Sequence, residues 1–331
     1  MTRKTDRRTF VKTSIAAPAA LALSLRSNSA KAYSDEPADR PANPEPAETT
    51  GDALPRGKIG NLEISRLLLG GNLLTHYTHS RDLKYVYQLA ALYNTEEKIL
   101  QTLALAEKHG INTLVIHTEP KGMNVVKKYR FEQGGKIQWI ICPTAPVEEP
   151  MDKYTQSVER LAEMKAEAVY LWGVRSDMLF SQGKLDLIAK AVEVGKEHGL
   201  PSGVGAHDLN VVMACERNGI NADFYILTFH HHKYPTGPRP DELTVPYIEI
   251  PGYWCRDPEK VVDFMKDVEK PWIAFKVMAA GAIPPDDAFE YAFKNGADHV
   301  LAGMFDFEIE EDVGIVKEIL PKVERERPWR S

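Results

Sequence analysis

The chain has little cysteine. It holds three cysteines, Cys142, Cys215 and Cys255, among 331 residues, with no C-x-x-C spacing. An odd count without that spacing argues against a disulfide framework and against a zinc site built from cysteine. Long apolar runs are also missing, because the one near the N-terminus spans only Ile15 to Leu25 and is rich in Ala and Ser. That run is too short for a transmembrane helix, so we expect no stable membrane insertion.

Net positive charge is a further absence. The whole chain carries a formal net charge of −6 at pH 7. Residues 1–32 contain seven basic residues and one acidic residue, so the rest of the chain carries −12. Nucleic acid is bound mainly through clustered Lys and Arg, and an acidic chain therefore does not favour a nucleic-acid partner.

The N-terminal residues have the features of a twin-arginine export signal. The sequence "DRRTFVK" precedes the apolar run, and A-K-A at Ala30 to Ala32 fits a cleavage site. A disordered basic tail would not require these features in this order. We predict a signal peptide at residues 1–32, the Tat translocon as a partner during export, and a periplasmic or secreted mature protein. Residues 33–55, rich in Pro, Ala and acids, predict a disordered linker.

The remaining residues, 56–331, alternate short β-branched apolar runs with helical segments such as "TEEKILQTLALAEKHG", where Thr95 can cap and Gly110 can terminate a helix. This alternation predicts parallel βα units. The economical fold is a single-domain (β/α)8 TIM barrel, with a doubly wound open sheet as the alternative. The eight predicted strands are Ile64 to Gly70, Asn112 to Thr118, Ile137 to Pro143, Ala168 to Val174, Ser202 to Asp208, Asp223 to His231, Trp272 to Ala279 and Asp298 to Met304.

Polar side chains end several predicted strands, which is where barrel enzymes carry their chemistry. Alternation along the sixth strand places Thr228 and His230 inside the barrel. His117 and His207 end the second and fifth strands. A single histidine at a strand end is more often a hydrogen-bonded structural residue, but three on one rim point to function. We predict that His117, His207 and His230 hold a divalent metal.

Other residues near the predicted strand ends suit acid/base catalysis or substrate contact. We assign the catalytic role to Lys276, Glu119, His231 and Asp208. Two long segments, residues 71–94 before the first helix and residues 233–260 after the sixth strand, read as binding loops. Aromatic, histidine and arginine side chains there and after the fourth strand suit sugar rings. The predicted substrate contacts are His79, Trp172, Arg175, Tyr234 and Trp254.

Four segments in order resemble the aldo/keto reductase superfamily, over most of the chain from Arg56 to about Gly281. "RGKIGNLEISRLLLGG" resembles the family's opening motif, and "AEKHGINTLVIHT" resembles its A-x-x-x-G-I-N-F-F-D-T-A helix and strand. "GVGAHDLNVVMACERNGINADFYILTFHH" is similar to the G-V-S-N-F stretch, and "KVMAAGAI" to P-L-A-x-G-x-L. The resemblance implies a barrel and an ancestral NADPH-dependent reductase site.

The catalytic residues of that family are not preserved. Its strand-two aspartate falls on Val115, its lysine near Cys142 and its histidine on Trp172 or Gly173, and "TEPKGMNVVKK" offers no proton-donating tyrosine. Without such a donor, hydride transfer to a carbonyl is not supported. "AGMFDFEIEEDVG" places acids where the family contacts the 2′-phosphate of NADPH, which argues against NAD(P).

The sequence therefore predicts an exported enzyme with a rebuilt, metal-assisted site that acts on a sugar or a related small carbonyl or polyol by non-redox chemistry. Isomerase, lyase and hydrolase remain open. One alternative is an NAD(P)-dependent oxidoreductase that keeps its cofactor tightly bound. Another is a non-catalytic periplasmic sugar-binding protein.

Overall fold

The computed structural model describes residues 53–250 and 252–331. The predicted signal peptide at residues 1–32 and most of the predicted linker lie outside the described residues. The end of that linker is part of the fold, because Leu54 is 1% exposed and packs in the core. The folded barrel therefore includes at least two residues before the predicted start at Arg56.

Eight parallel strands form a closed barrel after a short hairpin. The antiparallel hairpin consists of β1 (Arg56–Ile59) and β2 (Leu62–Ser65). Pairing of the last strand with the first closes the barrel, so the predicted (β/α)8 TIM barrel is confirmed and the open-sheet alternative is wrong. The barrel strands are β3 (Leu67–Gly70), β4 (Thr113–His117), β5 (Gln138–Cys142), β6 (Ala168–Leu171), β7 (Ser202–Ala206), β8 (Tyr225–Thr228), β9 (Trp272–Phe275) and β10 (His299–Ala302).

Helices follow the strands and surround the barrel. As predicted, the Thr95 side chain accepts a hydrogen bond from the backbone N–H of Lys98, and Gly110 follows the helix with φ +90°. The α-helices in the described residues are α1 (Lys84–Tyr93), α2 (Glu96–Lys108), α3 (Pro120–Glu132), α4 (Asp152–Glu163), α5 (Gly173–Ser181), α6 (Leu185–Glu197), α7 (Leu209–Arg217), α8 (Pro258–Met265), α9 (Pro285–Lys294) and α10 (Ile309–Ile319).

Several element boundaries differ from the sequence prediction. The predicted loop at residues 71–94 contains helix α1, whose apolar residues Leu89 and Leu92 are 58% and 75% exposed. Apolar side chains on the outer face of this helix hide the amphipathic period by which helices are identified. The first predicted strand, Ile64 to Gly70, covers the end of β2 together with β3. The fourth, sixth and seventh predicted strands run three to four residues past the observed ends of β6, β8 and β9, and after β6 the reason is that α5 begins there. Within the described residues, no helix has the length and apolarity needed to cross a membrane.

The interior of the barrel is apolar and is closed at one end by the hairpin. Strand residues Leu68, Val115 and Ile226 form a buried cluster inside the barrel, and Ile59 and Ile64 of the hairpin belong to the same cluster. The backbone N–H of Ser65 donates to Asn112 Oδ1 at 2.8 Å, just before β4, which places the hairpin at the N-terminal ends of the strands. The opposite, C-terminal end therefore forms the barrel mouth.

A buried ion cluster stabilises the end that the hairpin covers. The fully buried carboxylate of Asp298 accepts from the backbone N–H of Trp272 at 2.9 Å and from Arg327 Nη1 at 2.7 Å. The Arg66 guanidinium donates to the carbonyl oxygen of Asp298 at 3.0 Å. These bonds join the segment before β10 to the segment before β3 and to the C-terminal residues.

Candidate active site

Four polar side chains from different parts of the chain lie at the barrel mouth. His117 is the last residue of β4, His207 directly follows β7 and Lys276 directly follows β9. His79 lies on the segment between β3 and α1 and contacts Lys276. Chemistry in this fold is located at the C-terminal ends of the strands, and these residues are therefore placed where a substrate would bind.

His207 is held by a carboxylate. Its Nδ1 lies 2.8 Å from Asp177 Oδ2, while Asp177 Oδ1 accepts the backbone N–H groups of His207 and Asp208 at 3.1 Å each. A carboxylate only accepts, so His207 donates from Nδ1 and its Nε2 carries the lone pair. Burial and the nearby charge of Lys276 lower the pKa of His207. The arrangement is that of a histidine kept neutral and ready to accept a proton.

Ring contacts hold the His207 imidazole in this orientation. Its centroid lies 4.5 Å from the ring of Tyr247 and 5.4 Å from that of Phe275. A Cβ atom added at Gly173 would lie 3.2 Å from His207 Cε1, so the absence of a side chain at the start of α5 makes room for the imidazole. Within the described part of the chain, no side chain or backbone group bonds to Nε2, which leaves this nitrogen for a substrate.

A second carboxylate and histidine pair contacts the lysine. His79 Nδ1 lies 3.0 and 3.1 Å from the two carboxylate oxygens of Glu249, and His79 Nε2 lies 2.7 Å from Lys276 Nζ. Because Glu249 accepts from Nδ1, Nε2 is an acceptor and Lys276 donates to it. Glu249 also accepts from Trp254 Nε1 at 3.2 Å. Glu249, His79 and Lys276 thus form a continuous carboxylate, imidazole and amine chain.

The surroundings of Lys276 favour its uncharged form. Burial lowers the pKa of Lys276 to about 7, although the negative charge of Glu249 opposes this shift. The pKa of Glu249 itself is lowered to about 2, because the His79 hydrogen bond and the charges of His79 and Lys276 outweigh the effect of burial. Burial lowers the pKa of His79 as well. A lysine with a pKa near 7 is partly uncharged at neutral pH, as acid/base and nucleophilic amines require.

Left-handed backbone is concentrated in the two segments that carry this chain of groups. Lys276 has φ +56°, Ala279 and Ala280 follow with +47° and +54°, and His76 and Arg81 flank His79 with +58° and +53°. Such conformations are unfavourable for residues other than glycine and occur most often at functional sites. The strain therefore marks the same two loops as the contact between His79 and Lys276.

The predicted metal site is not supported, because His230 has no free ring nitrogen. Its Nδ1 donates to the carbonyl oxygen of His231 at 2.8 Å, and its Nε2 accepts the backbone N–H groups of Trp254 and Cys255 at 3.0 and 3.2 Å. Burial lowers the pKa of His230 to about 3, so the ring stays neutral in this role. Across residues 53–250 and 252–331, no group of three or more His, Cys, Asp or Glu side chains is arranged to hold a metal ion.

Replacing His230 by Ala should lower the free energy of unfolding by about 2–4 kcal/mol, because two buried N–H groups lose their acceptor and a cavity forms. Denaturant unfolding of the variant and the wild-type protein measures this loss, and it should be the same with chelator or with added Zn²⁺ or Mn²⁺. A stable variant that has lost a bound divalent ion would restore the metal site.

Three of the four predicted catalytic residues are bound to neighbouring structural groups. Glu119 caps α3 by accepting from the backbone N–H of Gly122 at 2.6 Å, and Asp208 caps α7 by accepting from that of Asn210 at 3.0 Å. His231 lies in the helix layer, where Nε2 is 3.1 Å from Asp287 Oδ2 and Nδ1 accepts from the backbone N–H of Lys233 at 3.0 Å. Local helix capping and outward strand alternation therefore explain these three, and of the four only Lys276 remains a candidate for the catalytic role.

The predicted substrate contacts divide into two groups. Tyr234 and Trp254 are buried within the loop that follows β8, where the Tyr234 hydroxyl donates to the carbonyl oxygen of Gly252 at 3.1 Å. The Trp254 ring packs beside the site, with its centroid 5.0 Å from Lys276 Nζ. His79 contacts the lysine directly. Trp172 and Arg175 lie at the start of α5, and both are partly exposed.

An outer ring of aromatic residues, Tyr77, Trp172 and Tyr247, surrounds the site, and of these only Trp172 was among the predicted substrate contacts. The Trp172 ring is parallel to His117 at a centroid distance of 6.3 Å, and Tyr77, 49% exposed, meets His117 edge-on at 6.0 Å. Tyr247 covers His207. Asp177 and Glu249 were also missed. Their partners lie 30 and 170 residues away in sequence, and no local spacing indicates such pairs.

Comparison with known proteins identifies the fold and little more. No protein-family model and no curated protein sequence match the chain. Among solved structures, it is similar to a Pseudomonas aeruginosa protein assigned to the aldo-keto reductases, with 16% identity, TM-score 0.54, and coverage of 80% of this chain and 95% of that chain. It is also similar to an aldo-keto reductase from Bacillus halodurans, with 12% identity, TM-score 0.53, and coverage of 80% and 91%. At these identities the comparisons show a shared barrel fold.

The NADPH site that the sequence resemblance to aldo/keto reductases implies does not fit the residues after β10. Asp306 accepts from Tyr93 Oη and Lys98 Nζ at 2.7 and 2.8 Å, which already uses that lysine. The acidic residues Asp306, Glu308, Glu310 and Glu311 follow one another closely there, and burial together with the charges of Glu308 and Glu311 raises the pKa of Asp312 to about 7. A phosphate group placed there would be repelled.

Proposed function

We propose that the protein is an enzyme that moves protons on a small carbonyl compound at the barrel mouth, without hydride transfer. One observation carries this proposal: two histidines, each held by a carboxylate, lie at the barrel mouth with one lysine. Asp177 holds His207. Glu249 holds His79, which in turn contacts Lys276. Removal and return of a proton require a base and a proton donor, and the neutral His207 imidazole and the Lys276 amine supply these two groups.

His207 is the group suited to remove a proton from carbon. Asp177 fixes its tautomer with the lone pair on Nε2 and stabilises the imidazolium that forms when a proton is taken up. The rings of Tyr247 and Phe275 limit water around it, so the proton is not lost at once to solvent. A proton on the carbon next to a carbonyl group is acidic enough for a histidine base when the oxygen is stabilised.

Lys276 is the group suited to stabilise the carbonyl oxygen. Its amine lies at a strand end, is mostly buried and is oriented by His79 at 2.7 Å. In a site with little water, its hydrogen bonds and positive charge act strongly on a developing oxyanion. His207 directly follows β7 and Lys276 directly follows β9, so both groups stand at the barrel mouth, and the charge of Lys276 contributes to lowering the pKa of His207.

The outer ring suggests a sugar-like substrate that carries a polar or anionic group. Tyr77, Trp172 and Tyr247 offer partly exposed aromatic faces of the kind that stack on sugar rings. Arg175 stands at the start of α5, and within the described residues its guanidinium has no ion pair or side-chain hydrogen bond. A free guanidinium beside the mouth suits a carboxylate, a phosphate or a row of hydroxyl groups.

Neither a metal step nor a dinucleotide step is part of this proposal. The three-histidine metal site fails on the hydrogen bonds of His230, and the residues after β10 do not suit the phosphate of NADPH. Interior positions that would carry a reductase's aspartate and lysine hold Val115 and Cys142, and burial raises the pKa of the Cys142 thiol. Reaction outside the cytoplasm, after export through the Tat translocon, is proposed on residues 1–32 alone.

Proton exchange tests the proposed function directly. The full chain, treated with chelator, is incubated in D2O with glycolaldehyde, glyceraldehyde or dihydroxyacetone, and the C–H signals beside the carbonyl group are followed by proton NMR. We expect loss of these signals at least about 10-fold faster than in buffer, with no added dinucleotide, because His207 supplies the base. Lys153→Met, on the exposed surface, is the matched control and should exchange at the wild-type rate.

Two outcomes would contradict the proposal. If the probes react only when NADH or NADPH is added, the protein would instead be an oxidoreductase. Saturable binding of the probes without any exchange, seen by ligand-observed NMR on the same samples, would favour the non-catalytic sugar-binding alternative.

A further inference from the structure

We propose that Lys276 is a nucleophile that forms an imine with the carbonyl carbon of an aldehyde or ketone substrate. This inference rests on the proposed function and deepens it, because it makes the carbonyl group an obligatory feature of the substrate and makes catalysis covalent. The geometry that carries it is the ordered contact of Lys276 with a carboxylate-supported histidine at a strand end.

His79 is placed to remove a proton from the lysine amine. Glu249 holds the proton of His79 on Nδ1, so Nε2, 2.7 Å from Lys276 Nζ, can only accept. The same relation between a carboxylate, a histidine and a nucleophile activates hydroxyl groups in acyl-transfer enzymes. The imidazole stands between Lys276 and Glu249, so the amine contacts a proton acceptor rather than a carboxylate.

The position of the amine limits the competing reactions. Lys276 stands on left-handed backbone with φ +56°, and its Nζ lies 5.0 Å from the centroid of the fully buried Trp254 ring. The backbone N–H groups of Trp254 and Cys255 donate to His230 Nε2, and these hydrogen bonds fix the position of this ring. The amine is therefore held in one place with little water, which favours attack on a bound carbonyl over hydrolysis of the product.

The step balances without any oxidant or metal. The Nζ lone pair forms a C–N bond to the carbonyl carbon, and the C=O π electrons move to oxygen. His79 Nε2 takes one proton from the nitrogen and returns it to that oxygen, giving a carbinolamine. The second N–H proton follows the same route to the hydroxyl group, the C–O bond breaks, and water leaves as the C=N bond forms. A proton from solvent then makes the imine a better electron acceptor than the carbonyl, which eases proton removal by His207.

The pH dependence follows from the groups that face the amine. These are His79 and Glu249 from the loops, and His207 and His230 from the ends of β7 and β8, all of which interact with Lys276. The pKa of Lys276 is lowered to about 7, so its amine is protonated and unreactive below that pH and free above it. A solvent-exposed lysine at its ordinary pKa has a free-amine fraction roughly a thousandfold smaller at pH 7.

Reductive trapping tests the imine. The full chain is treated at pH 7 with glycolaldehyde and sodium cyanoborohydride, and the modified lysine is identified by peptide mass spectrometry. We expect one addition, at Lys276, at least about 10-fold faster than at the exposed Lys260. In the wild-type protein the trapping rate should rise with pH and reach half its plateau near pH 7, a measurement that needs no variant.

Variants separate the nucleophile from its surroundings. Lys276→Met should lose the addition and keep its fold, because the methionine side chain can occupy the same space beside Trp254. Glu249→Gln keeps the lysine and should slow trapping several-fold. Lys260→Met is the matched control, and its trapping at Lys276 should equal that of the wild-type protein. Circular dichroism checks that each variant is folded.

The outcomes distinguish this inference from the proposed function. Additions spread over exposed lysines according to their accessibility, or a Lys276 left unmodified while its neighbours react, would overturn the imine. Proton exchange in D2O with no trapping at Lys276 would overturn it too and leave the proposed function standing. Trapping at Lys276 without exchange would support the imine and remove His207 from the reaction.

Discussion

Asp177→Asn should lower the rate of carbonyl-linked proton exchange by about 10²–10⁴-fold while leaving the protein folded. Asp177 Oδ1 accepts two backbone N–H groups and Oδ2 accepts His207 Nδ1. The amide oxygen can keep the first role, so the NH2 group must face the imidazole. His207 then accepts at Nδ1 and carries its proton on Nε2, where it can no longer act as a base.

This variant is sharper than removal of the histidine, because it alters the position of one proton and little of the packing. Its free energy of unfolding should stay within about 1 kcal/mol of wild type, since the backbone bonds remain. Asp186→Asn, an exposed carboxylate beside Lys190, is the matched control for the same chemical change. Unchanged exchange in Asp177→Asn would rule out His207 as the base, whatever the behaviour of Lys276.

Asp298→Ala should lower the free energy of unfolding by about 3–5 kcal/mol and the melting temperature by on the order of 10 °C. The substitution leaves Arg327, itself 2% exposed, without its carboxylate partner. It also leaves the backbone N–H groups of Trp272 and Arg330 without an acceptor. Breaking one side of a buried ion pair costs more than the pair contributes, because an uncompensated charge stays buried.

The matched control is Asp241→Ala, whose carboxylate is 74% exposed and pairs with Arg239, which is 68% exposed. That surface pair should change stability by no more than about 0.5 kcal/mol. Urea denaturation followed by circular dichroism measures both variants. At a temperature where Asp298→Ala is folded, its proton exchange should equal that of wild type, because the ion cluster lies at the end of the barrel opposite His207. A stability loss as small as that of the surface variant would contradict the role of the cluster.

The fold could be predicted from the sequence because strand signals are local. Apolar alternation and β-branched runs located all eight barrel strands, and alternation correctly placed Phe224 and Ile226 inside while Tyr225 and Leu227 face the helices. The hairpin was not predicted, because only Arg66 separates β2 from β3 and the end of β2 reads as part of the β3 strand. The local signals were sufficient wherever one element occupied one run of residues.

The site was only partly predictable, because its decisive contacts are long-range. His207 and Lys276 were identified from strand ends, but nothing in the local sequence pairs Glu249 with His79 across 170 residues. The sequence predicted His230 at the mouth and assigned it to a metal, whereas its Nε2 accepts the backbone N–H groups of residues 24 and 25 positions later, in a loop. Strand position can indicate that a side chain points inward, but it does not reveal which hydrogen bonds that side chain makes.

The closure of the barrel by β3 and β10 has a consequence for the order in which the molecule forms. Val300 pairs with Leu67, so β3 keeps an open edge until more than 230 further residues are available. Contacts so distant in sequence slow folding, because the chain loses the entropy of closing a large loop before the strand pairing contributes any favourable free energy. Strands β3 to β9 can associate in sequence as the chain emerges, but the ring can close only after β10 is made. The last step of folding is therefore the one that removes the exposed strand edge, the feature of an incomplete barrel most prone to aggregation.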